Sequence, residues 1–268
     1  MIVNIPKLEK EYQDYLFSHI LHGVKSTVED LGGKIIGGHT FESRNIVTRP
    51  YPLGVDLSLV VQGVLEGDFK NWKKSGMQLG DSLFMSRPLG VGIFFAGQMR
   101  NVNLFKSYSS VMENMLMSQQ FLIDEINDLQ KRFKVKFINA ATDVTGYGLI
   151  GHLLEMIETT NLSRIHKDLS PLKVALKLNS LRAYPGVFEL IRMGIRSSLY
   201  DSNKMKLDEI MSNKKNHRTI LFSNSDNFTE EINLLIDPQT CGPLLISCNA
   251  KYAIYLSSSW YKIGEVIS

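Results

Sequence analysis

Residues 141–152 read ATDVTGYGLIGH, and this stretch decides how the rest of the chain is interpreted. A strand is predicted to deliver Asp143 to a turn of small residues, and a helix that runs through Glu158 is predicted to begin a few residues later. Free backbone N–H groups at the start of a helix attract anions, phosphate above all. An aspartate at that point can hold a Mg²⁺ ion that the phosphates share.

Within this stretch, residues 142–148 are named here the Asp143 turn. A structural interpretation of this turn competes with its interpretation as a ligand site. Asp143 or Thr145 could cap the helix, and the glycines would permit tight packing. Because caps are common and ligand sites are few, the local pattern by itself favours the cap.

A second candidate is the His39 turn, residues 37–40, which reads Gly37-Gly38-His39-Thr40. It follows a short apolar run, residues 34–36, that is predicted to be a strand. Two glycines let a backbone approach a ligand closely, and His39 and Thr40 add hydrogen-bonding groups. A plain turn after a strand explains the same four residues, and the motif alone favours that explanation.

A third candidate is the Asp237 turn, residues 237–243, with the sequence DPQTCGP. It is predicted to join two strands, residues 234–236 and 244–247. Pro238 fixes one backbone dihedral and Gly242 allows a positive one. A loop that lines a site and a simple turn remain equally open here.

The remaining pattern predicts strands alternating with helices, which indicates an α/β or α+β fold. A domain boundary is expected in the polar stretch 66–81, giving a domain of residues 1–66 and another of residues 67–268. The predicted helices are 10–31, 108–133 and 250–259. The predicted strands are 55–65, 82–85, 135–139 and 262–267. Residues 41–54, 88–92 and 203–227 are predicted to be loops.

Composition excludes several classes of protein. There are 30 Lys and Arg against 27 Asp and Glu, so the net charge of +3 gives no indication of a nucleic-acid partner. The hydrophobic fraction of 44% is that of a globular chain. Only Cys241 and Cys248 are present, which rules out a disulfide framework and favours a reducing cytoplasm. No leader and no run long enough to cross a membrane are visible, so no membrane association is expected.

Taken in order, several segments resemble the selenophosphate synthetase (selenide, water dikinase) family. Among them is the Arg87 loop, residues 87–92, with the sequence RPLGVG. The resemblance extends from about residue 12 to the end of the chain. The segments that carry it are Ile36–Thr40 with Glu42-Ser43, Gly80-Asp81, the Arg87 loop, Ala141–Met156, Asp237–Thr240 and Ile263–Val266.

The resemblance implies a two-domain synthetase-type fold. Its N-terminal domain pairs with its twin into a dimeric β-barrel, and a C-terminal α/β domain lies beside it. The family makes selenophosphate, AMP and phosphate from ATP, selenide and water, with ATP and Mg²⁺ between the domains. By this resemblance Asp143 is a magnesium ligand, and Gly37, Gly38, His39 and Thr40 contact the nucleotide across the dimer.

The sequence also departs from the family. Family members carry a glycine-rich loop with a catalytic Cys or selenocysteine and a Lys before the segment that matches residue 12, and this sequence shows none, so the catalytic residues are unknown. Cys241, Pro243 and Arg87 replace the family's Ser, Gly and Lys. Residues 1–66 are therefore expected to be a partial ATP-binding and dimerisation domain.

Three interpretations follow from these departures. The chain is one part of a split or fused synthetase, completed as a homodimer or by a complementing N-terminal chain. Alternatively, it is a non-catalytic nucleotide-binding or dimerisation module derived from that enzyme. The third interpretation is a complete enzyme with an altered mechanism.

Overall fold

The computed structural model of the chain describes residues 1–43, 54–64, 72–102, 105–212, 219–223 and 228–268. It divides into two compact units, Met1–Glu66 and Gly67–Ser268. The described elements mix helices with two β-sheets, so the predicted α/β (α+β) class is confirmed.

Unit 1 is a small sheet with one helix. Its strands are β1 (Ile2–Pro6), β2 (His39–Ser43) and β3 (Asp56–Ser58), arranged in the order β2-β1-β3. β1 runs parallel to β2 and antiparallel to β3. Helix α1 (Lys10–Asp30) makes the crossover that a parallel pair requires.

The helix predicted over residues 10–31 is confirmed, but its apolar face is incompletely covered. Its stripe of apolar side chains, repeating at helical spacing, is only half-buried, and none of the residues of α1 is fully buried. That stripe consists of Leu16, Ile20, Leu21, Val24 and Val28. The apolar contacts of this helix within the described residues are therefore incomplete.

Unit 2 is built on a six-stranded sheet in the order β5-β8-β4-β9-β6-β7. All neighbouring strands are antiparallel except β6 and β7. The strands are β4 (Asp81–Met85), β5 (Ile138–Asp143), β6 (Lys173–Leu176), β7 (Ile220–Phe222), β8 (Leu244–Asn249) and β9 (Tyr261–Ile267). The helices are α2 (Val91–Met99), α3 (Phe105–Leu116), α4 (Gln120–Phe133), α5 (Gly148–Ile165), α6 (Val187–Arg192), α7 (Tyr200–Ser212), α8 (Phe228–Ile236) and α9 (Ala250–Ala253).

Both faces of this sheet are covered. Successive residues of a strand point to opposite faces, and β4 shows this directly. Leu83 and Met85 lie in the larger apolar cluster, with residues of α2, α5, α6 and α8. Phe84 lies in the smaller cluster, with Leu122 and Ile126 of α4. The strand is buried along its whole length because helices lie on both sides.

Several predicted elements were wrong. Residues 34–36 form no strand, and Ile36 is 94% exposed. Residues 234–236 end helix α8 instead of forming a strand, because a short apolar run does not distinguish the two. The predicted loop at 203–227 begins inside α7, and residues 91–92 of the predicted loop 88–92 begin α2.

Other predicted elements needed new boundaries. The helix predicted over 108–133 is two helices, α3 and α4, and the one predicted over 250–259 ends at Ala253. Within the described part of the strand predicted over 55–65, only Asp56–Ser58 is a strand, and strand β1 was missed. Residues 41–43 belong to β2. The rest of the predicted loop, 44–53, lies outside the described residues, as do 213–218 and 224–227.

None of the helices in the described ranges combines the length and the apolar character needed to span a bilayer.

The half-buried stripe of α1 predicts self-association. We expect light scattering to show a dimer or larger species at micromolar concentration, because burying apolar surface drives association. The double variant Ile20→Glu/Val24→Glu should shift the chain to monomer. The matched control is Ser18→Glu/Ser26→Glu, which adds the same charges at exposed positions of α1 and should leave association intact. A monomeric wild-type chain would contradict the prediction.

Candidate functional site

The Asp143 turn and the Asp237 turn lie against each other in unit 2. The backbone N–H of Val144 donates to the carbonyl of Pro243 at 2.9 Å, and the N–H of Gln239 donates to the carbonyl of Thr145 at 3.0 Å. Gly242 permits this approach, since a Cβ at that position would lie 2.0 Å from the Val144 carbonyl oxygen. Two segments far apart in sequence thus form one rigid corner at the ends of β5 and β8.

The Asp237 turn also caps helix α2, which begins in the Arg87 loop. The N–H of Gly92 donates to Oδ2 of Asp237 at 2.9 Å. The side-chain oxygen of Gln239 accepts from the N–H groups of Gly90 and Val91 at 3.2 and 3.3 Å. A carboxylate near a helix N-terminus is stabilising. The turn therefore has a structural task, and the role of Gln239 was not identified from the sequence.

Burial dominates the ionisation of Asp237. The residue is 2% exposed, and loss of hydration raises its pKa to about 7, although hydrogen bonds from Ile93, Gly92 and Gln239 lower it. The protonated and ionised carboxyl are therefore close in free energy near neutral pH.

The structure excludes the predicted capping role of Asp143 and Thr145. Helix α5 begins at Gly148, after an N-cap at Tyr147 at which no side-chain cap is formed. Gly148 has a φ of +67°, which turns the chain between β5 and the helix. Asp143 ends β5 with its side chain exposed, upstream of this reversal.

A magnesium site is not completed by the part of the chain that the structure describes. Among those residues, no three His, Cys, Asp or Glu side chains lie close enough together to hold a metal ion. Mg²⁺ prefers oxygen ligands in octahedral geometry, and Asp143 could supply one of them. Its role as a ligand stays a prediction.

A line of polar side chains runs from the Asp143 turn along α5. Nε2 of His152 lies 3.0 Å from Oγ1 of Thr145. Nδ1 of His152 lies 3.6 Å from Oε2 of Glu155. The ammonium of Lys74 donates to both oxygens of Glu155 at 2.8 Å. No role was predicted for His152 from the sequence; its spacing from Glu155 was the available signal, because residues three apart share a helix face.

The surroundings of His152 favour a neutral imidazole. Burial lowers its pKa, and so does Lys74, while Glu155 and Asp143 oppose the shift. His152 also borders a cleft of about 630 Å³ between α5 and α7, whose walls include Lys74, Glu155 and Asn203.

Asn203 connects α7 to the Asp143 turn. Its side-chain amide donates to the carbonyl of Gly146 at 2.9 Å and to that of Ile236 at 2.8 Å. The residue is buried, although the sequence predicted a polar loop here. Through these two bonds α7 is part of the support of the Asp143 turn.

The His39 turn lies in unit 1, and its glycines serve strand pairing. The amino group of Met1 donates to the carbonyl of Gly37 at 3.1 Å, and the N–H of His39 donates to the carbonyl of Met1 at 2.9 Å. A Cβ on Gly38 would lie 2.4 Å from the Met1 oxygen. All four residues through Thr40 are exposed. Their contact with a nucleotide stays a prediction.

Two departures from the family resemblance meet in the structure. The guanidinium of Arg87 donates to the carbonyl of Cys241 at 2.9 Å, and also to the carbonyl of Met117. Cys241 has a φ of +49° and an exposed thiol. Cys248 is buried, which raises the pKa of its thiol to about 12 and makes it unreactive.

The first site prediction concerns pH. The pKa of Asp237 rises from 3.8 to about 7 on folding, so the unfolded chain releases this proton first as pH increases. The stability contributed by the protonated carboxyl is full below pH 3.8 and is lost as pH rises through about 7. We expect the wild type to lose stability relative to Asp237→Asn over that range in thermal melts.

The control for this experiment is Asp128→Asn, which removes an exposed carboxyl of α4. The difference in melting temperature between this variant and the wild type should not change over the same pH range. If the difference for Asp237→Asn did not change either, it would contradict a raised pKa of Asp237.

The second site prediction concerns the contact of the two turns. Gly242→Ala should destabilise the chain by about 1–3 kcal/mol or more, because the new methyl group meets backbone that has no room to move. The matched control is Gly146→Ala, whose Cβ would meet only Leu199, at 3.9 Å. Urea denaturation measures both, and equal stability of the two variants would show that the approach at Gly242 is not tight.

Comparison with known proteins identifies relatives, although no family model matches the chain. The selenide, water dikinase of Carboxydothermus hydrogenoformans is 27% identical over 251 residues, which cover 91% of this chain and 60% of that protein. The protein of the same name from Caldanaerobacter subterraneus subsp. tengcongensis is 29% identical over 252 residues, covering 94% and 62%. The chain thus spans about 60% of the length of these relatives.

Solved structures agree on the fold. A HypE–HypF complex aligns with a TM-score of 0.59 over 99% of this chain and 70% of that chain, at 14% identity. Thiamine-monophosphate kinase from Stenotrophomonas maltophilia aligns with a TM-score of 0.56 over 100% and 68%, at 15% identity. At such identities the likeness concerns the fold alone. The resemblance seen in the motifs is nevertheless confirmed by the curated relatives: over about 90% of its length, the chain is similar to proteins named selenide, water dikinase.

Proposed function

We propose that the chain takes part in the ATP-dependent synthesis of selenophosphate from selenide and water. The observation that carries this proposal is the sequence identity of 25–29% with selenide, water dikinases over about 90% of the chain. The solved structures of similar fold include HypE in complex with ATP, which supports a nucleotide as a substrate. The low cysteine content fits a reducing cytoplasm as the place of the reaction.

The geometry of unit 2 suits Asp143 for holding a cation. Its carboxylate is exposed at the end of β5, an edge strand of the six-stranded sheet, and the adjoining turn is fixed by backbone bonds to the Asp237 turn. Phosphoryl transfer depends on positioning and on neutralising the charge of the phosphate oxygens, which is what Mg²⁺ supplies when it is bound. Asp143 would contribute one ligand, and the His39 turn would contact the nucleotide.

Further carboxylates are needed, because a nucleotide with its Mg²⁺ ions requires several. We infer that a homodimer partner or a complementing N-terminal chain supplies them. Each missing electrostatic group commonly costs roughly 10²–10³ in rate. The chain by itself should therefore form AMP from ATP and selenide far more slowly than the completed assembly.

A second candidate function is a non-catalytic nucleotide-binding or dimerisation module derived from such an enzyme. The observation that favours it is the lack, among the described residues, of any metal-binding group of three His, Cys, Asp or Glu side chains. Such a module would bind ATP without selenide-dependent turnover.

The experiment measures AMP formation from ATP and selenide by the purified chain, alone and with the N-terminal segment of the Caldanaerobacter relative. Formation only with the added segment supports the proposal. Rapid formation by the chain alone would overturn the need for a complementing part. ATP binding without turnover in either sample would establish the module instead.

Asp143→Asn tests the metal role in the same assembly. We expect weaker Mg²⁺-dependent ATP binding in isothermal titration and a nearly unchanged melting temperature, since the side chain is exposed. Asp128→Asn, on the exposed face of α4, is the control and should bind as the wild type does. Unchanged Mg²⁺ dependence in Asp143→Asn would exclude Asp143 as a ligand.

A further inference from the structure

The line from Lys74 through Glu155 and His152 to Thr145 ends in the proposed site. Thr145 is two positions after Asp143 and is half-buried, between that exposed carboxylate and the exposed Tyr147. A hydroxyl held by a histidine, which is in turn oriented by a carboxylate, is a recurrent way to fix the direction of an O–H bond.

The geometry determines which nitrogen of His152 carries the proton. Nδ1 is buried, makes no hydrogen bond in the described residues, and has Oε2 of Glu155 as a carboxylate neighbour at 3.6 Å. A lone pair on Nδ1 would face that negative oxygen unfavourably, whereas an N–H there is attracted to it. Nε2 is then unprotonated and accepts the hydroxyl proton of Thr145 at 3.0 Å.

This arrangement determines whether the Thr145 hydroxyl donates or accepts a hydrogen bond with a ligand. A hydroxyl has one proton and two lone pairs. With the proton committed to His152, the oxygen of Thr145 can only accept a hydrogen bond. The opposite tautomer would free the proton for donation to a phosphate oxygen, so the two arrangements differ in the ligand group that Thr145 meets.

We propose that His152 is a positioning residue that holds the Thr145 hydroxyl as a hydrogen-bond acceptor in the ATP-dependent site, where it suits a donor such as the substrate water and not a phosphate oxygen of ATP. The inference rests on the proposed function and adds a substrate-contacting group, Thr145, with a stated polarity. Lys74 and Glu155 orient His152 in turn, because their ion pair keeps the Glu155 carboxylate beside Nδ1 of the imidazole.

The bond to His152 is not required to hold the backbone of the turn. Backbone bonds to Gln239 and Pro243, together with the amide of Asn203 on Gly146, already do so. Removing the imidazole should therefore change the direction of the Thr145 hydroxyl more than it changes the position of the chain. This separates a positioning role from a purely structural one.

The first test uses the ring nitrogens of the wild-type chain. Nitrogen-15 NMR at neutral pH distinguishes a protonated from an unprotonated imidazole nitrogen. We expect His152 to be neutral, with the proton on Nδ1, and Thr145→Val to change the signal of Nε2. A proton on Nε2, or a cationic ring, would overturn the inference without any reference to activity.

The second test is a double-mutant cycle in the assembly completed with the N-terminal segment of the relative. His152→Asn and Thr145→Val should each lower kcat/KM for ATP by roughly 3- to 10-fold, the worth of one hydrogen bond. The double variant should be no worse than either, because both remove the same interaction. His152→Gln should recover part of the loss, since its amide oxygen reaches toward the place of Nε2, and Thr145→Ser should behave as the wild type.

The outcomes separate the two proposals. Additive losses of kcat/KM in the double variant would show a structural role only. So would equal losses of kcat/KM in His152→Asn and His152→Gln that accompany equal falls in melting temperature. Selenide-dependent AMP formation that is unaffected by His152→Asn would overturn the positioning role and leave the proposed function standing. No AMP formation by the wild-type assembly would overturn both.

Discussion

The approach of Gly242 to the carbonyl of Val144 is the constraint on which the arrangement of unit 2 depends. It lets the Asp237 turn lie directly on the Asp143 turn, so that the end of β5 and the start of β8 meet at one corner. From this corner, the side chains of Asp237 and Gln239 reach the N-terminus of α2. One close backbone contact thereby fixes a strand end, a helix start and the chain before α5.

The burial of Asp237 places an ionisable group inside this support. Moving a carboxylate out of water costs free energy, and hydrogen bonds from the α2 backbone offset only part of that cost. The result is a buried side chain whose protonated and ionised forms are close in free energy near neutral pH. The carboxylate of Asp143, by contrast, is exposed at the end of β5.

Much of this organisation followed from the sequence, and the failures have physical causes. The position of Asp143 between a strand and a glycine-rich helix start was predictable, because Gly148 has to turn the chain. Residues 234–236 were misassigned because a short apolar run fits a strand or the buried end of a helix equally well. Gln239 caps α2 and Asn203 binds the Asp143 turn through contacts between residues far apart in sequence, which no local sequence pattern reveals.

The contacts of Arg87 explain why the departures from the family resemblance leave this corner intact. Its guanidinium binds the carbonyl of Cys241, not the thiol, so either Cys or Ser at that position presents the same acceptor. Arginine, unlike lysine, has several donors in a fixed plane and can reach the carbonyl of Met117 at the same time. Its guanidinium thus connects the Asp237 turn to the segment between α3 and α4 by binding one backbone carbonyl of each. Side-chain identity at Cys241 is therefore decoupled from the support of the site, whereas the bond between Thr145 and His152 depends wholly on side chains.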